Sequence, residues 1–536
     1  MEKIMGKNVW RLLLIISILI LTTTFNSFAA VADQQPAAAQ TPAPPPPSPT
    51  VTAAPGASAS VATEPSEGGG MDKFRDWFHN PTPWLEMGAD LRVRYTYGWN
   101  LDTLNNDAAH RDSKWNWYQN RMRWSLKFKL NDDMDFNIRY TWEFRVWDMP
   151  ERKNGNGTST SSRTEGTDFS EIVWDQFNLV VRNFGGMPLT MTVGRQDIFL
   201  GEGWLIADGT PLDAARTAYF DALRFTYAVP CQEKTTLDMI YVENRAAEDW
   251  YLKPINDRNR VITSQDERAL ILYYTDKSRP SLNLEGYFIL KVDNPVNYAI
   301  KATPTGNDRI PPYWSKRADI YTLGGALSGS FFGSEHWKYR AEGAVQVGEK
   351  EGLNPITSAR TGMHPLMAFG TIDKLEYNFN DEKKNKIRTS FEFLSGDKPG
   401  SSKLGAFDPL WGEWPRNSEI LCYIYNLETQ VGEVTNLYRV GLGHSIQLTE
   451  KASMDTDIHW LWADQNTRKN YMQSSGFGFS DTGKYRGTLA TWCLKYKFTK
   501  NLNGHILLEY FQPGDYYASG CRDAAYFARV NLDYTF

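Results

Sequence analysis

The sequence predicts an all-β protein: a transmembrane antiparallel β-barrel of about 18 strands, standing behind a secretory signal peptide and a Pro/Ala-rich linker. Three observations predict it. First, Lys3, Lys7 and Arg11 precede the apolar run Leu12 to Leu21, and Ala30-Val31-Ala32 supplies the small residues of an A-x-A cleavage site. Second, the chain closes on AYFARVNLDYTF, in which Tyr526, Ala528, Val530, Leu532, Tyr534 and Phe536 form an apolar face. Phe527, Arg529, Asn531, Asp533 and Thr535 form a face that is polar but for one ring, so the period is two and the segment is a strand. Third, no apolar run after the signal peptide reaches the roughly 20 residues a membrane helix needs. A membrane protein without such helices is a closed barrel, because lipid offers no partner to open backbone groups.

Taken in order, residues 1–32 are the signal peptide, whose apolar run is too short to span a bilayer and is expected to be removed. Residues 33–70 are Ala, Pro, Ser, Thr and Gly, with Pro44 to Pro47 in succession, and carry too little apolar surface to fold; they read as a disordered linker stiffened by polyproline conformation. Residues 71–83 read as a short lead-in, amphipathic enough to be helical, with a plug as the alternative. The barrel is expected over 84–536. Its composition agrees, since aromatics make up 14% of the chain, with 19 Trp, while the mean hydropathy of -0.50 is that of a soluble protein. Alternation of lipid-facing and lumen-facing residues averages hydropathy in this way, with aromatic girdles at both interfaces. The net charge of -5 argues against a nucleic-acid binder.

Eighteen alternating segments are expected near 84–99, 115–130, 134–147, 171–184, 188–199, 219–229, 234–243, 266–276, 281–292, 317–331, 336–348, 365–379, 386–395, 431–449, 452–463, 487–499, 503–511 and 524–536. Sixteen is the neighbouring even count. Short connections (131–133, 230–233, 381–385, 500–502) interleave with long polar ones (101–114, 150–170, 200–218, 399–430, 464–486). Outer-membrane barrels have short periplasmic turns and long external loops, whereas a soluble β protein has no reason to sort its loops.

Alternation then assigns side chains to the two faces. Leu85, Met87, Ala89, Leu91, Val93, Tyr95 and Tyr97 turn outward, leaving Glu86, Asp90, Arg92 and Arg94 in the lumen. In the next strand Met122, Trp124, Leu126, Phe128 and Leu130 turn outward, with Arg121, Arg123, Lys127 and Lys129 inward. In the third, Phe136, Ile138, Tyr140, Trp142 and Phe144 leave Arg139, Glu143 and Arg145 inside. The same logic places Arg224, Arg388, Arg439, Lys495, Lys497 and Arg529 in the lumen, because Arg or Lys at the lipid midplane costs about 2–4 kcal/mol. The first three strands thus form an arginine-rich wall, relieved by Asp90 and Glu143 as counter-charges. Such a wall favours anions in a pore. Interior Arg and Glu ladders also brace barrels, and that alternative stays open.

Val193-Gly194-Arg195-Gln196-Asp197-Ile198 ends one strand, Gly201-Glu202-Gly203-Trp204 comes next, and Tyr219-Phe220-Asp221-Ala222-Leu223-Arg224 opens the next strand. Together with Phe407-Asp408-Pro409-Leu410-Trp411, these stretches resemble the alginate-export family of outer-membrane barrels, over about Trp84 to the end. The resemblance implies an eighteen-stranded barrel with an electropositive constriction for an acidic polysaccharide, and its motif falls on Gly194, Arg195, Gln196, Asp221 and Arg224. Arg195 joins Arg92, Arg94, Arg121, Arg123, Arg139, Arg145 and Arg224 as the expected substrate pathway. The linker departs from the family pattern, and a shared domain does not fix a shared substrate.

No catalytic residues are expected. Gly443-His444-Ser445-Ile446-Gln447 lacks the last Gly of a nucleophile elbow and sits within a strand. The seven His are scattered without metal-ligand spacing, so neither metal nor cofactor is indicated. Cys231, Cys422, Cys493 and Cys521 can pair in an oxidising compartment, but spacing does not say how. The expected partners are outer-membrane lipid, the barrel-assembly machinery acting on the C-terminal strand, and an acidic sugar or polysaccharide. The expected function is an outer-membrane channel for anionic sugars; a generic porin and, further off, a barrel hydrolase are the alternatives.

Overall fold

The computed structural model describes residues 70–101, 103–107, 114–147, 167–168, 172–207, 219–230, 232–246, 252–256, 265–279, 281–296, 316–354, 360–413, 416–429, 434–468, 472 and 476–536. The expected signal peptide, and the expected linker apart from Gly70, lie outside these residues. Every described residue belongs to the unit Ala53–Phe536.

Helix α1 (Gly70–His79) precedes eighteen long strands: β1 (Leu85–Trp99), β2 (Lys114–Asn131), β3 (Met134–Trp147), β4 (Ile172–Val181), β5 (Leu189–Gln196), β6 (Phe220–Ala228), β7 (Thr235–Asn244), β8 (Gln265–Arg279), β9 (Leu282–Pro295), β10 (Ala318–Ser330), β11 (Trp337–Leu353), β12 (Arg360–Asn378), β13 (Lys386–Leu394), β14 (Leu437–Gln447), β15 (Ala452–Ala463), β16 (Tyr485–Lys497), β17 (Leu502–Pro513) and β18 (Ala525–Thr535). Helix α2 (Glu419–Thr429) lies between β13 and β14. Each strand pairs antiparallel with the next, and β18 returns to β1, from Asp90↔Thr535 to Trp99↔Tyr526, which closes the barrel. A two-residue strand, Thr167–Asp168, adds to the edge of β3. All eighteen expected segments are therefore strands. The largest boundary differences have local causes. Asn436 adopts a left-handed φ of 54°, so β14 begins at Leu437 rather than near 431. The hairpin of β11 and β12 continues to Leu353↔Arg360, beyond the expected ends at 348 and 365.

Alternation holds in the structure. Leu91, Val93 and Met122 are 47%, 42% and 52% exposed, whereas Arg92 and Arg94 are each 1% exposed. Outward apolar residues meet lipid, so the apolar core that a soluble protein would place between layers sits here inside the barrel. It fills the half reached by the long loops. Ile240, Ile271, Ile289, Ile320, Leu461 and Leu489 from the wall pack with Leu200, Trp204, Ile206, Phe407, Ile424 and Phe479 from the loops.

α1 stands outside the lumen, which disposes of the plug alternative. The Phe78 ring lies 4.7 Å from Phe536, and His79 Nδ1 is hydrogen-bonded to the Met87 carbonyl at 2.9 Å. Met87 and Phe536 both belong to the lipid-facing series.

Candidate functional site

The candidate site is the lumen, and its chemistry begins with β1–β3. Among their described residues eight bases face inward, Arg92, Arg94, Arg121, Arg123, Lys127, Lys129, Arg139 and Arg145, against four acids, Glu86, Asp90, Asp135 and Glu143. Antiparallel register brings them level: Asp90 faces Arg123, Arg92 faces Arg121, and Arg121 faces Glu143. Asp90 accepts from Arg123 Nε at 2.7 Å and from Arg121 Nη2 at 3.3 Å. Arg92 Nη2 reaches Glu143 Oε1 at 3.3 Å, and Arg94 Nε donates to Asn531 Oδ1 at 3.1 Å. Arg145 lies over the Trp117 ring, 5.3 Å from its centroid. Asp90 and Glu143 therefore orient the wall, as counter-charges do, while bases outnumber acids on it two to one.

Further round, the acids catch up. Arg139 Nε donates to Asp175 at 2.9 Å and its Nη2 to Asp197 at 3.0 Å; Arg224 Nε donates to Asp238 at 2.8 Å. Arg195 makes two parallel hydrogen bonds to Asp221, at 2.8 and 3.1 Å, donates to the Trp174 carbonyl at 3.0 Å and stacks 3.8 Å from the Tyr219 ring centroid. Planar forks suit such geometry. Gly194 lets β5 lie close against β4 at this point: its φ is 115°, and a Cβ there would lie 2.3 Å from the Phe177 carbonyl oxygen. Gln196 Nε2 donates to the Ala222 carbonyl at 3.0 Å, across the same strand pair. The motif Gly194-Arg195-Gln196 with Asp221 is thus a clasp between β5 and β6, and Arg195 is only 1% exposed.

Two loops cross the lumen and are zipped together. The loop after β5 and the loop after β13 form a parallel bridge, Ile206↔Trp411, with Trp411 N donating to Leu205 O at 2.9 Å and Ala207 N to Trp411 O at 2.8 Å. Trp204 stacks on Phe407, 5.4 Å between centroids and 13° between planes. The second loop is pinned to the wall on both sides. Gln346 on β11 exchanges two 2.8 Å hydrogen bonds with the Asp408 backbone, Lys350 Nζ reaches Asp408 Oδ2 at 2.6 Å, and Trp411 Nε1 donates to Glu267 Oε2 on β8 at 2.7 Å. Burial pushes the Asp408 carboxyl up, but Lys350 and Lys291 outweigh it and hold the group well below the usual carboxylate range.

α2 fills more of the same half. Its N-terminal amides have no helical partners, and a wall carboxylate takes their place: Glu509 on β17 accepts from Ser418 Oγ at 2.7 Å, Glu419 N at 3.1 Å and Ile420 N at 2.9 Å. At its other end Glu428 accepts from Arg486 Nη2 at 2.6 Å and Tyr517 Oη at 2.8 Å, while burial pushes the Glu428 carboxyl up. Cys422 and Cys521 are buried thiols that donate to the Ser418 and Gly476 carbonyls, at 3.7 and 3.1 Å. Cys231 lies outside the described residues. Beside the loops a cavity of about 120 Å³ is lined by Arg340, Lys374 and Arg416 among Glu202, Glu342 and Glu413. Among the described residues no cluster of His, Cys, Asp and Glu is arranged to hold a metal.

Sequence reasoning assigned the eight arginines to the lumen with Asp90 and Glu143 as counter-charges, but missed Asp175 beside Arg139 and Asp238 beside Arg224, which lie on strands whose faces alternation did not sort. It also missed α2, whose signal is Ser418 before Ile420, Leu421, Ile424 and Tyr425, an N-cap followed by helical spacing.

A family model described as "Alginate export" matches residues 83–531. A search of curated proteins gives no match. Among solved structures, the chain is similar to Acinetobacter baumannii OccAB1 at TM-score 0.52 and 9% identity, covering 86% of this chain and 97% of that one. Pseudomonas aeruginosa OccK2 (OpdF) in complex with glucuronate gives TM-score 0.48 and 12% identity, covering 84% and 98%. Pseudomonas aeruginosa OccK5 (OpdH) gives TM-score 0.47 and 9% identity, covering 84% and 98%.

Proposed function

The protein is a bacterial outer-membrane β-barrel belonging to the alginate-export family, and from that premise we propose that it is a channel that passes anionic sugars or polysaccharides, alginate-like in charge, along the wall of β1–β3. The observation that carries this reading is the excess of eight inward bases over four acids on those strands, an excess that survives when Arg139 is set against Asp175 and Asp197 of the neighbouring wall. In a confined lumen water screens poorly, so fixed positive charge draws carboxylates in. Arg121 and Arg123 share Asp90, and Lys127 and Lys129 share Glu86, so each acid holds two cations in place without cancelling them. Conduction needs sites weak enough to leave, which such partial neutralisation provides. Lys127 and Lys129 also retain exposed side chains, 38% and 41%, toward the short-turn half of the lumen, and Arg123 is partly buried.

One observation favours a different role for part of the set. Arg195 and Arg224 are matched by Asp221 and Asp238, and Arg139 by Asp175 and Asp197. These three brace the barrel, so the pathway proper narrows to Arg92, Arg94, Arg121, Arg123 and Arg145.

The test is ionic current through the purified protein in a planar bilayer, with oligouronate or a neutral oligosaccharide of equal length added to one side. Oligouronate is expected to interrupt the current at concentrations where the neutral chain does not. Equal block by both would leave a generic porin, and a bilayer that stays silent would remove the channel reading in favour of a non-conducting barrel.

A further inference from the structure

α1 carries an apolar face that the described residues cover only in part. In GMDKFRDWFH, at 3.6 residues per turn, Phe74, Trp77 and Phe78 share one side, and Asp72, Arg75, Asp76 and His79 the other. Part of the apolar side is used: Phe78 and Phe74 meet the Phe536 ring edge-on at 4.7 and 5.8 Å. Arg75 Nη2 donates to Tyr534 Oη at 3.1 Å, and Asp72 pairs with Lys500 at 3.2 Å, fixing the helix to the end of β18 and the turn before β17. The rest faces away, with Phe74 46% and Trp77 58% exposed.

That exposed strip continues a surface whose solvent is already known. Trp84, 53% exposed, stacks on Phe128 at 6.2 Å; Tyr496 and Phe498, both more than 40% exposed, pack at 4.8 Å; Tyr534 lies 6.3 Å from Phe536. These rings form an arc about the seam on the outside of the barrel at its short-turn end, where an aromatic girdle meets the periplasmic leaflet. The helix is seated on this girdle from outside. With about 15 Å of length it spans roughly three strand spacings across the seam.

We propose that α1 is an interfacial helix, bound to phospholipid of the periplasmic leaflet, which holds the β1–β18 seam from the membrane side. Phe74 and Trp77 enter the acyl boundary, while Lys73 and Asp76, both exposed, stay among headgroups and water. The C-terminal Phe536, lying under Phe74 and Phe78, is covered once the helix is down.

The native full-length protein tests this in vesicles of phosphatidylethanolamine and phosphatidylglycerol containing a little phospholipid with a diazirine on its acyl chain. After irradiation, adducts are mapped by mass spectrometry, with Leu91 and Met122 on the lipid-facing wall as internal reference. Adducts are expected at Phe74 and Trp77 at yields comparable with the reference, and none at Asp76. A labelled wall with unlabelled Phe74 and Trp77 overturns the proposal. In the same vesicles, trypsin cleavage after Lys73 and Arg75 is expected to rise in a Phe74→Ser/Trp77→Ser variant, which leaves Phe78 on Phe536. Equal cleavage of variant and native protein contradicts lipid anchoring.

Discussion

Replacing Asp408 by Asn removes one charge from the latch that holds the long loop after β13 across the lumen. The Lys350 and Asp408 side chains are 11% and 7% exposed, and their 2.6 Å contact is made where water cannot replace it. Breaking one partner of a buried pair costs about 3–5 kcal/mol. At about 1.4 kcal/mol per tenfold, the docked-to-released ratio of the loop falls by a factor of order 10² to 10³. Asn keeps the backbone bonds to Gln346, so the loss is of charge and not of shape. In single-channel recording the variant is expected to show a frequent higher-conductance level that the native protein visits rarely. One unchanged level in native and variant channels would refute the latch. The pH dependence has a definite sign. Burial raises the carboxyl and the two lysines lower it further, leaving a net depression. A depressed carboxylate contributes stability that is fully present above its unfolded value of about 3.9 and lost as pH falls through the folded value. Acidifying from neutrality to pH 5 is therefore expected to leave the loop docked, and only stronger acid should reproduce the Asp408→Asn behaviour.

Deleting Phe536 removes the terminal ring of the closing strand together with its contacts to Phe74 and Phe78; outer-membrane yield of the folded, heat-modifiable barrel is expected to drop, and an unchanged yield would count against a role in assembly. Gly194→Val places a β-branched residue at φ 115° against the Phe177 carbonyl, at a strain of about 1–3 kcal/mol; a lower midpoint of urea unfolding in detergent checks this. Glu509→Ala leaves Ser418 Oγ and the Glu419 and Ile420 amides without their carboxylate. A lost helix cap costs about 0.5–2 kcal/mol, so amide hydrogen exchange of α2 should quicken while that of β16–β18 stays put.

The walls of this protein were legible in the sequence because lipid enforces a strict rule. A charge facing the membrane costs several kcal/mol, so Arg92 between Leu91 and Val93, or Arg121 and Arg123 about Met122, admits a single assignment of faces. β15 was bounded correctly at Ala452 and Ala463, since charged and turn residues flank it on both sides. The lumen obeys no such rule. Asp175 meets Arg139, and Glu509 meets Ser418, across 36 and 91 residues of sequence, and only register and loop path bring them together. Two expectations change for that reason: Arg195, which the family motif puts on the pathway, lies in a strand clasp with Asp221, and Arg224, which alternation also puts there, lies in a matched pair with Asp238. α2 was hidden for a different cause. A polar loop long enough to be external was read as external, although Ile420, Leu421, Ile424 and Tyr425 carry the periodicity of a helix that buries one side.

The central claim is that the uncancelled bases of β1–β3 select anions. The most direct test is the reversal potential of the channel in a salt gradient across a planar bilayer, for the native protein and for Arg121→Gln/Arg123→Gln. The double substitution leaves six inward bases against four acids on that wall and takes from Asp90 both of its arginine partners. The native channel is expected to prefer anions. The variant should prefer them less, with a larger change near 0.1 M salt, where the Debye length is about 10 Å, than at 1 M, where it is about 3 Å. A cation-selective native channel, or a double variant with its anion preference intact, would contradict the claim and leave the arginines as braces of the barrel.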